Sequence, residues 1–141
     1  MGNRHPVQLA AGVAGAAFLL VGVLGFVPGI TTGHLQFAGH HGGAKLLGVF
    51  EVSVLHNTVH LLFGLAALWL ARQAATAKWY LVGGGAIYLV LTAYGLAVGH
   101  DSAANFVPVN MADNGLHLVL GLGLVAAGVV LGRSARPALT H

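Results

Sequence analysis

Four long apolar runs decide what this chain can be. They cover residues 7–27, 46–71, 80–99 and about 110–132, and each reaches the roughly 20 residues that a helix needs to cross a bilayer core. Lipid offers the backbone no hydrogen-bond partner, so runs of this kind are satisfied as helices. The expectation is an all-α membrane protein in which residues 1–141 form one transmembrane domain, a four-helix bundle. The charge content agrees. Only six Lys/Arg and three Asp/Glu occur in 141 residues, and the mean hydropathy is +0.83, which excludes both a disordered chain and an ordinary soluble domain.

The sequence pI near 9.8 does not point to nucleic acid, because the basic residues stand singly at the ends of apolar runs and form no patch. They report topology instead. Arg4, Arg72, Lys78, Arg133 and Arg136 fall on one side of the four runs and Lys45 alone on the other. Both termini and the short 72–79 loop are therefore expected in the cytoplasm, in a multi-pass protein of the cell membrane. Arg4 and His5 precede the first run as they would in a signal peptide. That run is too long, however, and no small-x-small cleavage site follows it, so it reads as a retained helix. With no cysteine there is no disulfide, iron–sulfur cluster or thiolate metal site, and two methionines argue against a soft copper(I) site.

Most of the 22 glycines lie inside the runs, where they let helix backbones approach closely in lipid. At about 100° per residue, Ala11, Gly15, Gly22 and Gly29 share one stripe of the first helix, and Gly84, Tyr88, Thr92, Gly95 and Gly99 share one of the third. These stripes predict a compact bundle, with faces that could also meet further copies of the chain. "GGG" at 83–85 lacks the Lys-Ser/Thr of a phosphate loop and belongs to such a face. Trp69, Trp79 and Tyr80 read as interfacial anchors.

The segments "HNTVHLLFG" (56–64) and "DNGLHLVLG" (113–121) share the pattern [His/Asp]-Asn-x-x-His-Leu-x-x-Gly. A shift of 70 positions pairs Gly15 with Gly85, Phe18 with Tyr88, Leu19 with Leu89, Gly25 with Gly95 and Gly29 with Gly99. The chain thus reads as two parallel helical-hairpin repeats about a pseudo-two-fold axis along the membrane normal. His60 and His117, Asn57 and Asn114, and His56 and Asp113 should then sit at matching depths.

Ser53, His56, Asn57 and His60 fall on one arc of the second helix, with Glu51 opposite near the outer boundary. Asn110, Asp113, Asn114 and His117 fall on one arc of the fourth. Lipid cannot satisfy these groups, so they should face each other or an internal cavity. Three readings follow. In the first they are interhelical hydrogen bonds that set the bundle's register, each worth about 1 kcal/mol. In the second, His60 and His117 ligate haem b or a divalent metal, with Asn57, Asn114 or Asp113 bonded to their second ring nitrogens. In the third, an outward-open cavity handles protons or a small polar or quinone-like molecule, with Glu51, His100 and Asp101 at its outer rim beside His34, His40 and His41. The "GHHGG" loop alone makes a weak metal site and is expected to be solvated.

The combination "FAGHHGGAKLLGVFEVSVLHNTVHLLFGLA", "GGGAIYLVL…YGL" and "DSAANFVPVNMADNGLHLVLGLG" resembles a bacterial group of small four-helix membrane proteins, the domain of unknown function 4383 family. The resemblance covers nearly the whole chain and implies an integral protein of the plasma membrane, without supplying a catalytic residue. A more distant similarity, in size and helix count, is to DoxX-like membrane proteins, some of them linked to quinone-dependent redox chemistry. The expectation is a structural or accessory membrane protein, not an enzyme. It has no required cofactor, and its polar core stabilises the bundle and binds a small ligand or partner. The lipid bilayer is its constant partner, and a homo-oligomer or a larger membrane complex is the expected assembly.

Overall fold

A computed structural model describes residues 4–133, so Arg136 lies outside the described residues. The order is α1 (Pro6–Leu24), β1 (Thr31–Thr32), β2 (Lys45–Leu46), β3 (Phe50–Glu51), α2 (Val54–Leu70), α3 (Ala74–Ala97) and α4 (Met111–Leu131). The helices form the expected bundle of a membrane protein. α1, α3 and α4 are long and apolar enough to cross a membrane, and α2 has 17 residues. The apolar residues on their outer faces, such as Val13, Leu20, Val90 and Val119, are exposed, as a lipid-facing wall requires.

Each helix starts where local chemistry allows it. Pro6 opens α1, with the His5 ring accepting from the Val7 amide and the Gln8 side chain accepting from the His5 amide. Ser53 caps α2, and Asn110 caps α4 in a reciprocal box with Asp113.

Three expected boundaries need correction. Residues 46–53 are not helical. Leu47 and Gly48 have φ of 55° and 72°, which breaks any helix there, and the chain turns β2 back onto β3 in a small antiparallel sheet of order β1-β2-β3. The apolar side chains that suggested helix, Leu46 and Val52, instead form a second core with Ala44 under the outer loop, packed on Val21 and Leu24 of α1. Glu51 accordingly sits in a strand and is buried, not on the far face of a helix. At the other end, α3 begins at Ala74, six residues before the expected Tyr80. Thr76 Oγ bonds the Leu70 and Gln73 carbonyls and lets the helix start directly after a short turn. α1 closes at Leu24, so Gly29 lies beyond it in a turn.

The packing is done by glycine. α1 runs antiparallel to α2, with Gly15 against the Gly64 carbonyl and Ala67, and Gly22 against Leu61. α3 runs antiparallel to α4, with Gly85 against the Gly121 carbonyl and Val125, and Gly128 against Val82 and Leu81. A Cβ at any of these positions would overlap its neighbour, so these glycines are used within the chain. Rings join one hairpin to the other. Phe18 stacks on Tyr88 at 5.6 Å and 15°, and the Tyr80 hydroxyl donates to the Phe63 carbonyl at 3.0 Å. At one end of the bundle, Gln8 Nε2 donates to the Ala71 and Arg72 carbonyls, and the Lys78 stem lies beside Gly132. Arg4, Arg72, Lys78 and Arg133 thus gather at one end, and Lys45 lies in the cap at the other.

Candidate functional site

The polar stripes of α2 and α4 separate into three groups. Ser53, Asn110 and Asp113 are structural. Ser53 Oγ accepts from the His56 amide at 3.1 Å. Asp113 Oδ2 accepts from the amides of Asn110 (2.9 Å) and Glu51 (3.0 Å), and Asn110 Nδ2 donates to the Val49 carbonyl at 2.8 Å. This one carboxylate therefore caps α4 and ties it to β3.

Asn57 and Asn114 form the second group. Both are buried, and each carboxamide packs against a glycine of its hairpin partner. A Cβ on Gly25 would fall on the Asn57 carboxamide, and one on Gly95 on that of Asn114. The absence of a side chain on each glycine is what makes room for the carboxamide. Asn57 Oδ1 and Nδ2 and Asn114 Oδ1 have no conventional partner in the protein, so neither residue orients an imidazole as expected.

The third group is the centre of the bundle, where His56, His60 and His117 converge with Tyr88. His56 stacks on His60 at 4.7 Å and 16° and lies 6.2 Å from His117, and Tyr88 lies 5.0 Å from His117. His60 Nδ1 is 3.2 Å from the His56 carbonyl oxygen, and Nε2 is 3.3 Å from the Tyr88 hydroxyl. A carbonyl only accepts, so in a neutral ring Nδ1–H donates to it and Tyr88 O–H donates to Nε2. Both nitrogens of His60 are thus engaged. His56 and His117, by contrast, are only 5% and 4% exposed, and their Nδ1 atoms have no partner in the protein. Unpaired polar groups this deep are costly.

Two crevices open onto these rings. One, of about 60 Å³, lies between α2 and α3 under Val107 and Val109. The other, of about 260 Å³, lies between α1 and α4 under Leu46, Phe50 and Val52, with Asp113 on its wall. All three histidines line both. A cavity of roughly 150 Å³ takes a benzene ring, so the larger crevice suits one substituted ring. Among the described residues, no group of three or more His, Asp or Glu is placed to hold a metal ion.

The outer rim forms a separate cluster. His100 Nε2 meets Glu51 Oε2 at 3.0 Å and Nδ1 meets Asp101 Oδ1 at 3.1 Å, so each ring nitrogen faces a carboxylate. The bond to Asp101 first, then that to Glu51, holds the His100 imidazole above the usual histidine range, against partial burial. His40 packs 5.2 Å from His100 and 4.3 Å from His41. The "GHHGG" loop is therefore docked on the second outer loop, which the Gly39 amide also bonds at the Phe106 carbonyl. His34 stays exposed. Asn105 Nδ2 donates to the His100 and Val109 carbonyls, and Tyr94 O–H donates to Ala104. Neither Asn105 nor the site role of Tyr88 is evident from sequence. The pairing of Tyr88 with Phe18 was the available signal for the latter.

Residues 8–130 match the family model described as domain of unknown function (DUF4383), and the chain belongs to that family. No curated protein and no solved structure matches it.

Proposed function

We propose that this family member is a multi-pass protein of the cell membrane whose buried histidine cluster binds a small, largely apolar molecule carrying a hydrogen-bonding group. The observation that carries the reading is the pair of buried, unpartnered Nδ1 atoms on His56 and His117 beside a crevice with apolar walls. Such walls with a few convergent polar groups are the usual make-up of a small-molecule site. The protein is read as a binding or accessory component and not as an enzyme.

The gathering of Arg4, Arg72, Lys78 and Arg133 at one end favours cytoplasmic termini, with the capped end outward. The matched glycine–asparagine contacts, Gly25 with Asn57 and Gly95 with Asn114, support two hairpin repeats about an axis along the bundle.

The test is thermal unfolding in lipid nanodiscs before and after delipidation, with mass spectrometry of what is released. A small molecule should leave the wild type and lower its melting temperature, while His56→Leu with His117→Leu should carry none. Equal release from both proteins would refute the reading. A haem site using His60 would need a ring nitrogen freed from Tyr88 or from the His56 carbonyl. A Soret band lost in His60→Ala and His117→Ala would establish it in place of the present reading.

A further inference from the structure

The two crevices are lined by matched positions. With the offset of 57 that carries His60 to His117, His56 maps to Asp113, Val59 to Leu116 and Phe63 to Leu120. With the offset of 70 between α1 and α3, Ala17 maps to Ile87, Phe18 to Tyr88 and Val21 to Leu91. The covers correspond as well, since Phe50 and Val52 map to Val107 and Val109 by the same 57. These are two versions of one crevice, placed on opposite sides of the shared histidines.

They differ in how far they are filled. On the α2/α3 side, Ile87 stands where Ala17 does, Leu91 where Val21 does and Phe63 where Leu120 does. Two exchanges run in the other direction, Val59 for Leu116 and, in the cover, Val107 for Phe50. Beside the histidines, the larger Ile87, Leu91 and Phe63 go with about 60 Å³ of free space against about 260 Å³, and Phe63 and Ile87 also line a separate crevice of about 360 Å³ that reaches Trp79 and Tyr80 but not the histidines. The polar groups diverge in the same sense. Tyr88 spends its proton on His60, whereas its counterpart Phe18 has no hydroxyl.

We propose that the α1/α4 crevice is the binding site and that the α2/α3 crevice is its filled duplicate. The ligand class is a lipid-soluble single-ring molecule bearing a hydroxyl or carbonyl oxygen, its ring between Phe18 and Leu120 and its oxygen against the unpartnered His117 or His56. The volume sets one ring. The Phe18 and His60 rings in its wall, tilted against each other with Tyr88 stacked behind Phe18, favour a flat one, and a neutral imidazole can either donate to a carbonyl or accept from a hydroxyl. Ala17 is exposed at the mouth, so entry is sideways from the bilayer.

This inference rests on the histidine core being a binding site, and the experiment separates the two. Radiolabelled 2,6-diisopropylphenol and 2,6-diisopropylbenzoquinone would be titrated into wild-type protein in nanodiscs, with empty nanodiscs subtracted and 1,3-diisopropylbenzene as the oxygen-free control. At least one oxygenated probe should bind saturably at one per chain, and at least ten-fold more tightly than the hydrocarbon. Ala17→Ile and Leu120→Phe import the side chains of the filled duplicate, and each should weaken binding at least ten-fold. Ile87→Ala should leave the original site unchanged and bring the stoichiometry towards two. Binding unaffected by Ala17→Ile and Leu120→Phe but lost in His56→Leu with His117→Leu would overturn the assignment of the crevice while leaving the core as a site. Equal binding of the hydrocarbon would overturn recognition of the oxygen. No saturable binding of either oxygenated probe would overturn the ligand class, and release of no small molecule on delipidation would remove the underlying reading.

Discussion

The outer cap and the inner core satisfy comparable polar side chains to different degrees, although His40 Nδ1 in the cap is also buried without a protein partner. In the cap, Asp113 accepts two backbone amides, Asn110 donates to Val49, and His100 is bridged by Glu51 and Asp101. In the core, about a helical turn deeper, His56 and His117 keep a ring nitrogen without a protein partner. Polar groups whose bonds close within the chain maintain shape. Those left open beside a crevice are free for something else. Burial alone would not have separated them, because Asp113 and His117 are equally hidden.

That contrast can be broken most forcefully at Asp113. Asp113→Ala would leave the Asn110 and Glu51 amides without acceptors and remove a helix cap, so a loss of about 3 kcal/mol is expected, measured by unfolding in detergent. A loss under about 1 kcal/mol would show that the cap is not held as described. Next comes Gly95→Val, which drives a side chain into Asn114. Overpacking predicts about 2 kcal/mol, and Gly25→Val against Asn57 should match it if the two hairpins are equivalent.

A smaller effect is expected from pH. The folded state raises the His100 pKa, so its contribution is complete below the unfolded histidine value of about 6.5 and is lost as pH climbs through the raised folded one. The melting temperature should fall over that window in the wild type and fall less in His100→Ala. The change should be modest, because the side chain is 50% exposed and solvent screens it. The smallest change should come from the core itself. In delipidated protein, His56→Leu exchanges a ring with an unpartnered nitrogen for an apolar group of similar reach and should alter stability by less than about 0.5 kcal/mol, while weakening binding. A large destabilisation would move His56 into the structural class.

Much of this was legible in the chain. The apolar runs located four helices, and of the glycine stripes Gly15, Gly22 and Gly95 mark close contacts, whereas Gly29, Gly84 and Gly99 do not and Gly85 does. The start of α2 was not legible, because Leu46, Leu47, Val49 and Val52 are apolar for a reason that hydropathy cannot distinguish. They fold as a hairpin lid on α1, and only Gly48 signals it. The division of labour among the stripe residues was also hidden. Helical spacing places Asp113 and His117 on one face, but whether a backbone amide arrives to meet either depends on loops whose path the local pattern does not encode. Tyr88 was visible as a packing residue, and its bond to His60 depends on how two hairpins meet.

The glycine contacts carry a consequence for how the protein is made. Nearly all of the closest packing lies within a hairpin, α1 on α2 and α3 on α4, and the rings that meet between hairpins come from both. The first hairpin would therefore zip on its own, yet with His60 lacking its hydroxyl partner until Tyr88 arrives. During that interval the half-made protein displays a polar flank to lipid, a mark by which membrane quality control could tell an unfinished chain from a finished one.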